Sequence, residues 1–199
     1  MTANLLALCH KDNGFIVKRV KVSADVQALL EGIFTQQEVD FFEGISEHVP
    51  FDGGWQPNAN ELLYVAPSPE ITSVFNAAQA NVVSLPQIAP GNFGNEGIRA
   101  LGVYMRRATG DRLLVQNFSP RQSLERRFSL ILEGDTFNRL TQPAFSLGVS
   151  LAGVVEANRL VFSKYSNIRM IFDLRHLYEE ATSVQIDTFV QPEFGTVNS

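Results

Sequence analysis

Apolar positions along this chain follow two periods. Near the N-terminus two apolar-rich runs, residues 4–10 and 15–22, flank Lys-Asp-Asn-Gly, a strong turn signal, and predict a β-hairpin. Val26, Leu29, Leu30, Ile33 and Phe34 then recur at helical spacing, and Phe41 extends that face. They predict an amphipathic helix over residues 24–43. Ser23 suits its N-cap, Asp25 its first turn and Gly44 its stop. Residues 50–60 read as a turn-rich loop, 62–66 as a short strand, 71–80 as a second helix and 81–97 as loop. Three more hairpins follow. Residues 98–107 and 112–118 flank Ala-Thr-Gly-Asp, 127–132 and 137–140 flank Glu-Gly-Asp, and 154–156 and 159–163 flank Ala-Asn. Helical spacing returns at Ile168, Ile171 and Phe172, then at Leu174, Leu177, Tyr178 and Ala181 behind an Asp173 cap. It returns once more at Ile186, Phe189 and Val190 before Pro192. The pattern predicts an α+β fold: an N-terminal hairpin and helix, an antiparallel β meander in the middle, and short C-terminal helices. The 199 residues fit one α+β domain, 1–199, with 1–97 and 98–199 as candidate subdomains.

Composition narrows the class. A hydrophobic fraction of 45% and a charged fraction of 19% exclude a disordered tail, a collagen-like fibre and a long coiled coil. No apolar run approaches the roughly 18 residues of a membrane span. The first residues lack a basic region followed by an apolar stretch, so no signal peptide is expected and the cytoplasm is the default. A single cysteine, Cys9, makes neither an internal disulfide nor a cysteine zinc site.

The net charge of −5 hides an asymmetry. Residues 1–97 carry 4 Lys/Arg against 11 Asp/Glu, residues 98–140 carry 8 Arg against 4 Asp/Glu, and residues 141–199 carry 4 against 6. Half of the basic residues therefore fall in one central stretch, all of them arginine. Arg106, Arg107 and Arg112 bracket one predicted hairpin tip; Arg121, Arg126 and Arg127 bracket the next connection. The planar guanidinium matches phosphate oxygens in a bidentate way and stays charged, so these six are the candidate nucleic-acid-binding residues. Neighbouring hairpins in one sheet would bring them together. Tyr104, Phe118 and Phe128 interleave with them, but no RNP-like aromatic motif is present, so such a patch would hold backbone and not read sequence. The competing reading pairs the arginines with the acidic N-terminal half or with another subunit.

Catalytic and metal motifs are sparse. His10, His48 and His176 are scattered, and Cys9 and His10, adjacent in a strand, point to opposite faces. Neither Gly-x-Ser-x-Gly nor a P-loop occurs. Gly91, Gly94 and Gly97 read as loop glycines, although such a run can offer N–H groups to an anion. Asp52 and Glu61 suggest the carboxylates of a Mg²⁺ nuclease, but Leu63 stands where Glu-x-Lys needs its lysine. Asp173, Glu179 and Glu180 read as solvated helix acids, and Trp55 as a loop aromatic over the core edge. Neither a cofactor nor a metal is expected.

The run from Arg112 to Phe189 resembles the KwaB family of the Kiwa anti-phage defence system. The resemblance rests on the order of Leu113-Leu114-Val115-Gln116-Asn117-Phe118, Phe137-Asn138-Arg139-Leu140, Leu160-Val161-Phe162-Ser163, Ile171-Phe172-Asp173-Leu174 and Tyr178-Glu179-Glu180-Ala181-Thr182. Before it, Gln36-Gln37, Pro50-Phe51-Asp52-Gly53-Gly54 and Leu62-Leu63-Tyr64-Val65 are similar to the family as well. The resemblance implies a DNA-binding defence protein without a catalytic motif, working with a membrane-embedded Kiwa partner subunit. Members usually continue with a further C-terminal region. Three functions are thus expected in this order: a non-enzymatic DNA-binding defence module; an interaction or homo-oligomerisation module whose arginine hairpins dock an acidic protein surface; and a metal-dependent nuclease using Asp52 and Glu61.

Overall fold

Strand β1 (Leu5–Lys11) sends its side chains alternately into two apolar layers, and the whole fold follows from that alternation. Leu5, Ala7 and Cys9 enter one layer, Leu6 and Leu8 the other, all of them fully buried. A strand apolar on both faces must be covered on both faces. In the computed structural model, which describes residues 3–11, 14–53, 57–124, 130–140, 144–175 and 177, β1 lies inside an eight-stranded sheet.

The elements follow in chain order. After β1 come β2 (Gly14–Arg19), α1 (Ala24–Phe42), β3 (Glu47–Pro50), β4 (Glu61–Val65) and α2 (Pro69–Gln79). Then come β5 (Ile98–Met105), β6 (Arg112–Asn117), β7 (Leu130–Glu133), β8 (Thr136–Arg139), β9 (Gly153–Val155), β10 (Leu160–Phe162) and α3 (Tyr165–Ile168). The main sheet runs β2-β1-β5-β6-β9-β10-β4-β3, antiparallel throughout except for the β3–β4 pair. Four strands from residues 98–199 form the centre of the sheet and two pairs from residues 1–97 flank them, so both parts of the chain build one sheet. The fold is α+β, as the sequence pattern predicts.

The two long helices start where a serine caps them. The hydroxyl of Ser23 accepts from the Val26 N–H at the start of α1, and that of Ser68 accepts from the Ile71 N–H at the start of α2. Gly44, at φ +71°, ends the α1 region in a left-handed turn. Helix α1 covers one apolar layer with Leu30 and Phe34. Helix α2 covers the other with Ile71, Val74, Phe75 and Ala78, joined by Ile168, Ile171, Phe172 and Leu174.

Four expectations are corrected. Helix α1 is placed as expected but turned: Val26, Leu29 and Ile33 are exposed, Leu29 by 64%, while Gln37 and Glu38 are buried. The reason is electrostatic and is given below. Pro50, read as the start of the 50–60 loop, closes the edge strand β3; the strand's sequence, Glu-His-Val-Pro, shows no alternation, and Pro50 is tolerated at an edge. The 81–97 segment holds two short 3₁₀ turns: 82–84, where the Asn81 side chain accepts from the Val83 N–H, and 90–95, from which Phe93 stacks on Phe145 with centroids 4.4 Å apart. The second central hairpin, β7–β8, stands apart as its own two-stranded sheet, so it does not neighbour β5–β6. The expected helices beyond residue 177, Trp55 and His176 lie outside the described residues.

Two glycines give opposite predictions. A Cβ on Gly102 in β5 would sit 2.6 Å from the Leu114 carbonyl oxygen, whereas one on Gly32 in α1 would meet nothing within 4 Å. Gly102→Ala is expected to destabilise by about 1–3 kcal/mol through overpacking. Gly32→Ala is expected to stabilise by about 0.5–1 kcal/mol through helix propensity. Urea unfolding of both variants measures the difference.

Candidate phosphate-binding surface

The β5–β6 hairpin carries three of the candidate arginines at its tip, where Gly110 takes φ +123°. Two of them are already engaged. Arg107 donates from Nε and Nη2 to Oε2 of Glu38, at 3.0 and 2.6 Å. Arg112 donates from Nη1 to the other Glu38 oxygen at 2.9 Å, and from Nε to Glu156 at 3.0 Å. Arg159 completes the chain with 2.6 Å to Glu156. The result is a row of alternating charges, Arg107–Glu38–Arg112–Glu156–Arg159. Its carboxylates are only 9% and 14% exposed. The Arg112 guanidinium also lies 4.9 Å from the centre of the Phe42 ring.

This row explains the rotation of α1. A charged carboxylate enters a protein interior only when paired, and Glu38 finds two cations on the sheet. Gln37, one residue earlier, donates to the Gly148 carbonyl at 3.1 Å and accepts from buried Gln116. These polar anchors turn Gln37 and Glu38 inward and leave Val26, Leu29 and Ile33 outside. At the tip, the Tyr104 hydroxyl donates to Asp111. That bond holds the Asp111 carboxyl below its usual range.

The other candidates are spread. Arg106 is exposed at the hairpin tip; Arg121 is exposed beyond the far end of β6. Seven residues of extended strand separate Arg99 and Arg106, about 23 Å at the rise of a strand, so the two ends of the hairpin are distinct surfaces. The structure therefore does not gather Arg106, Arg107, Arg112 and Arg121 into one patch. Arg126 and Arg127 lie outside the described residues.

A different group of cations does converge. Arg99 on β5, Arg169 and Arg175 after α3, and His10 on β1 line one pocket of about 370 Å³. Its apolar walls include Phe15, Tyr165 and Phe172. Arg175 pairs with Asp173 at 2.7 Å. Among the described residues, Arg99 and Arg169 have no carboxylate at ion-pair distance, and Arg169 lies 6.0 Å from the Tyr165 ring centre. Glu70, half-buried at the start of α2, lines the same pocket. Burial pushes its carboxyl above the ordinary value and the Asp173 charge adds to this. His10 and a hydrogen bond from the Asp173 backbone N–H pull the other way. Sequence reading missed this group because its members sit 70 residues apart; the sole signal was arginine close to an apolar run in both places.

Another cavity, about 870 Å³, is acidic instead, lined by Asp40, Glu43 and Glu61 with Lys164. The Glu61 carboxylate accepts the backbone and side-chain N–H groups of Asn58, both at 2.9 Å, and so caps a turn. Among the described residues no group of three His, Cys, Asp or Glu side chains converges as a metal ion requires. Cys9 is buried, and burial pushes its thiol up to about 11. His48 packs against Phe42, and burial followed by the Arg159 charge lowers its pKa. No helix among the described residues is long and apolar enough to cross a membrane.

Comparison with known proteins adds no relative: no family model, no curated protein and no solved structure matches the chain.

Glu38→Gln keeps shape and removes the charge between two arginines. It is expected to cost about 2 kcal/mol, discounted from the value for a fully buried pair because the guanidinium groups are partly exposed. Thermal unfolding of Glu38→Gln beside Asp40→Asn, an exposed acid of the same helix, measures it.

Proposed function

We propose that the chain is a non-enzymatic DNA-binding module of an anti-phage defence assembly, which holds phosphate backbone and acts with a membrane-embedded partner subunit. The observation that carries the DNA contact is the convergence of Arg99 and Arg169, from separate elements, on one pocket, without a carboxylate partner for either among the described residues. Arg121 is exposed beyond the same end of the β5–β6 hairpin but does not line this pocket. Arginines committed to Glu38 and Glu156 serve the fold, so the phosphate contacts belong to this end of the sheet and not to the hairpin tip. Contacts of this kind position backbone and carry no sequence information. The defence setting and the membrane partner rest on the resemblance to the KwaB family.

The reading gives a salt signature. Affinity for duplex DNA falls linearly on a log–log salt plot, and Arg99→Ala with Arg169→Ala lowers the slope by about two. At low salt the double variant is expected to bind at least tenfold more weakly, while Arg107→Ala retains affinity and loses stability. Fluorescence anisotropy across a salt series checks this. Loss of binding in Arg107→Ala with an unchanged Arg99→Ala/Arg169→Ala double variant overturns the assignment.

One observation favours a second reading, a protein-docking module. The β7–β8 hairpin leaves Leu130, Ile131, Leu132 and Phe137 exposed, Phe137 by 65%, within the segment 98–140 that carries a net +4. The hairpin itself carries Glu133, Asp135 and Arg139, so its apolar face, and not its charge, is what fits an apolar seat on a second copy of the chain. Phe137→Asp is then expected to convert an oligomer into a monomer with little change in melting temperature. A wild-type monomer at all concentrations in light scattering excludes this second reading.

A further inference from the structure

The pocket that holds Arg99 and Arg169 contains a group that a simple phosphate site does not need. Glu70 faces the same space, and a carboxylate beside a bound phosphate is repulsive. It becomes favourable if the ligand carries N–H donors as well as an anion. The Asp173 backbone N–H occupies only part of the acceptor capacity of the Glu70 carboxylate, which has about four lone-pair positions. The walls between the charged groups are aromatic: Phe15 stands edge-on to Phe172 at 5.7 Å, and Tyr165 lies under Arg169. At about 370 Å³ the space falls within the range of small-ligand pockets.

We propose that this pocket binds a single nucleotide, with the phosphate on Arg99 and Arg169 and the N–H edge of the base on Glu70. The inference rests on the phosphate-binding reading above and narrows it from a backbone surface to a one-nucleotide seat. Guanine presents two N–H donors side by side and matches a carboxylate best. Arg99 and Arg169 supply charge-assisted hydrogen bonds in fork geometry. The aromatic walls accept the flat base. His10, exposed at the mouth and 5.3 Å from the Phe15 ring centre, adds a donor toward the phosphate.

Calorimetric titration of the full chain with GMP, guanosine and inorganic phosphate tests the seat. GMP is expected to bind at least tenfold more tightly than either part alone. Arg169→Ala, a change at an exposed residue that leaves the core intact, is expected to weaken GMP at least tenfold. Glu70→Gln is expected to weaken GMP severalfold while phosphate binding stays equal or tightens, because a negative charge has gone. Phosphate that binds as tightly as GMP, with Glu70→Gln strengthening both equally, overturns the nucleotide seat and leaves a plain anion surface. Absence of GMP binding alongside DNA binding that responds to Arg99→Ala and Arg169→Ala also overturns it, while the DNA reading stands. GMP binding without any DNA binding supports the seat and overturns the DNA reading.

Discussion

One buried carboxylate sets the arrangement of the charged surface. Glu38 leaves solvent on helix α1 and is held between Arg107 and Arg112, which reach it from the two strands of one hairpin. Removing a charge from water is costly, so the pair geometry has to be good, and both oxygens of Glu38 are engaged. Three consequences follow. The helix is rotated toward its polar residues, the hairpin tip is tied to the helix, and two arginines are withdrawn from outside partners. Glu156 extends the arrangement by sharing Arg112 and Arg159, so that β6, the β9–β10 turn and α1 meet through charge where the apolar layers end.

The rest of the molecule is organised by burial. The sheet is apolar on both faces, and two layers of side chains take up its alternate residues. Those layers fix the strand positions closely. Gly102 and Gly153 stand where another backbone passes within 3 Å of a would-be Cβ, so side chains are excluded there. Where Gln116 enters the layers it is bonded, holding both the N–H and the carbonyl of Gly148. Arg99 and Arg169, outside this system of internal pairs among the described residues, define the candidate binding surface.

Much of the fold was legible from local pattern. Turn residues between apolar runs located the hairpins, and Ser23 marked where α1 begins. What escaped was decided by contacts far apart in sequence. The face of α1 was misread because its apolar residues surround the helix, and Arg107 and Arg112, 69 and 74 residues away, determine that Glu38 turns inward. β3 escaped because an edge strand of four residues needs no alternation. The detachment of β7–β8 could not be read from spacing, since a hairpin in the main sheet and a hairpin alone share one pattern. The site shows the same division. The arginine excess in residues 98–140 was plain, yet which arginines are paired depends on acids in the other parts of the chain.

The central claim is a division of labour among arginines: those at the hairpin tip hold the fold, and those at the opposite end meet phosphate. Hydrogen-exchange mass spectrometry of the full chain with and without duplex DNA tests it most directly. The account predicts slower exchange at residues 8–11, 97–100 and 165–175 on binding, and no change at 104–112. Protection confined to 104–112 would contradict it.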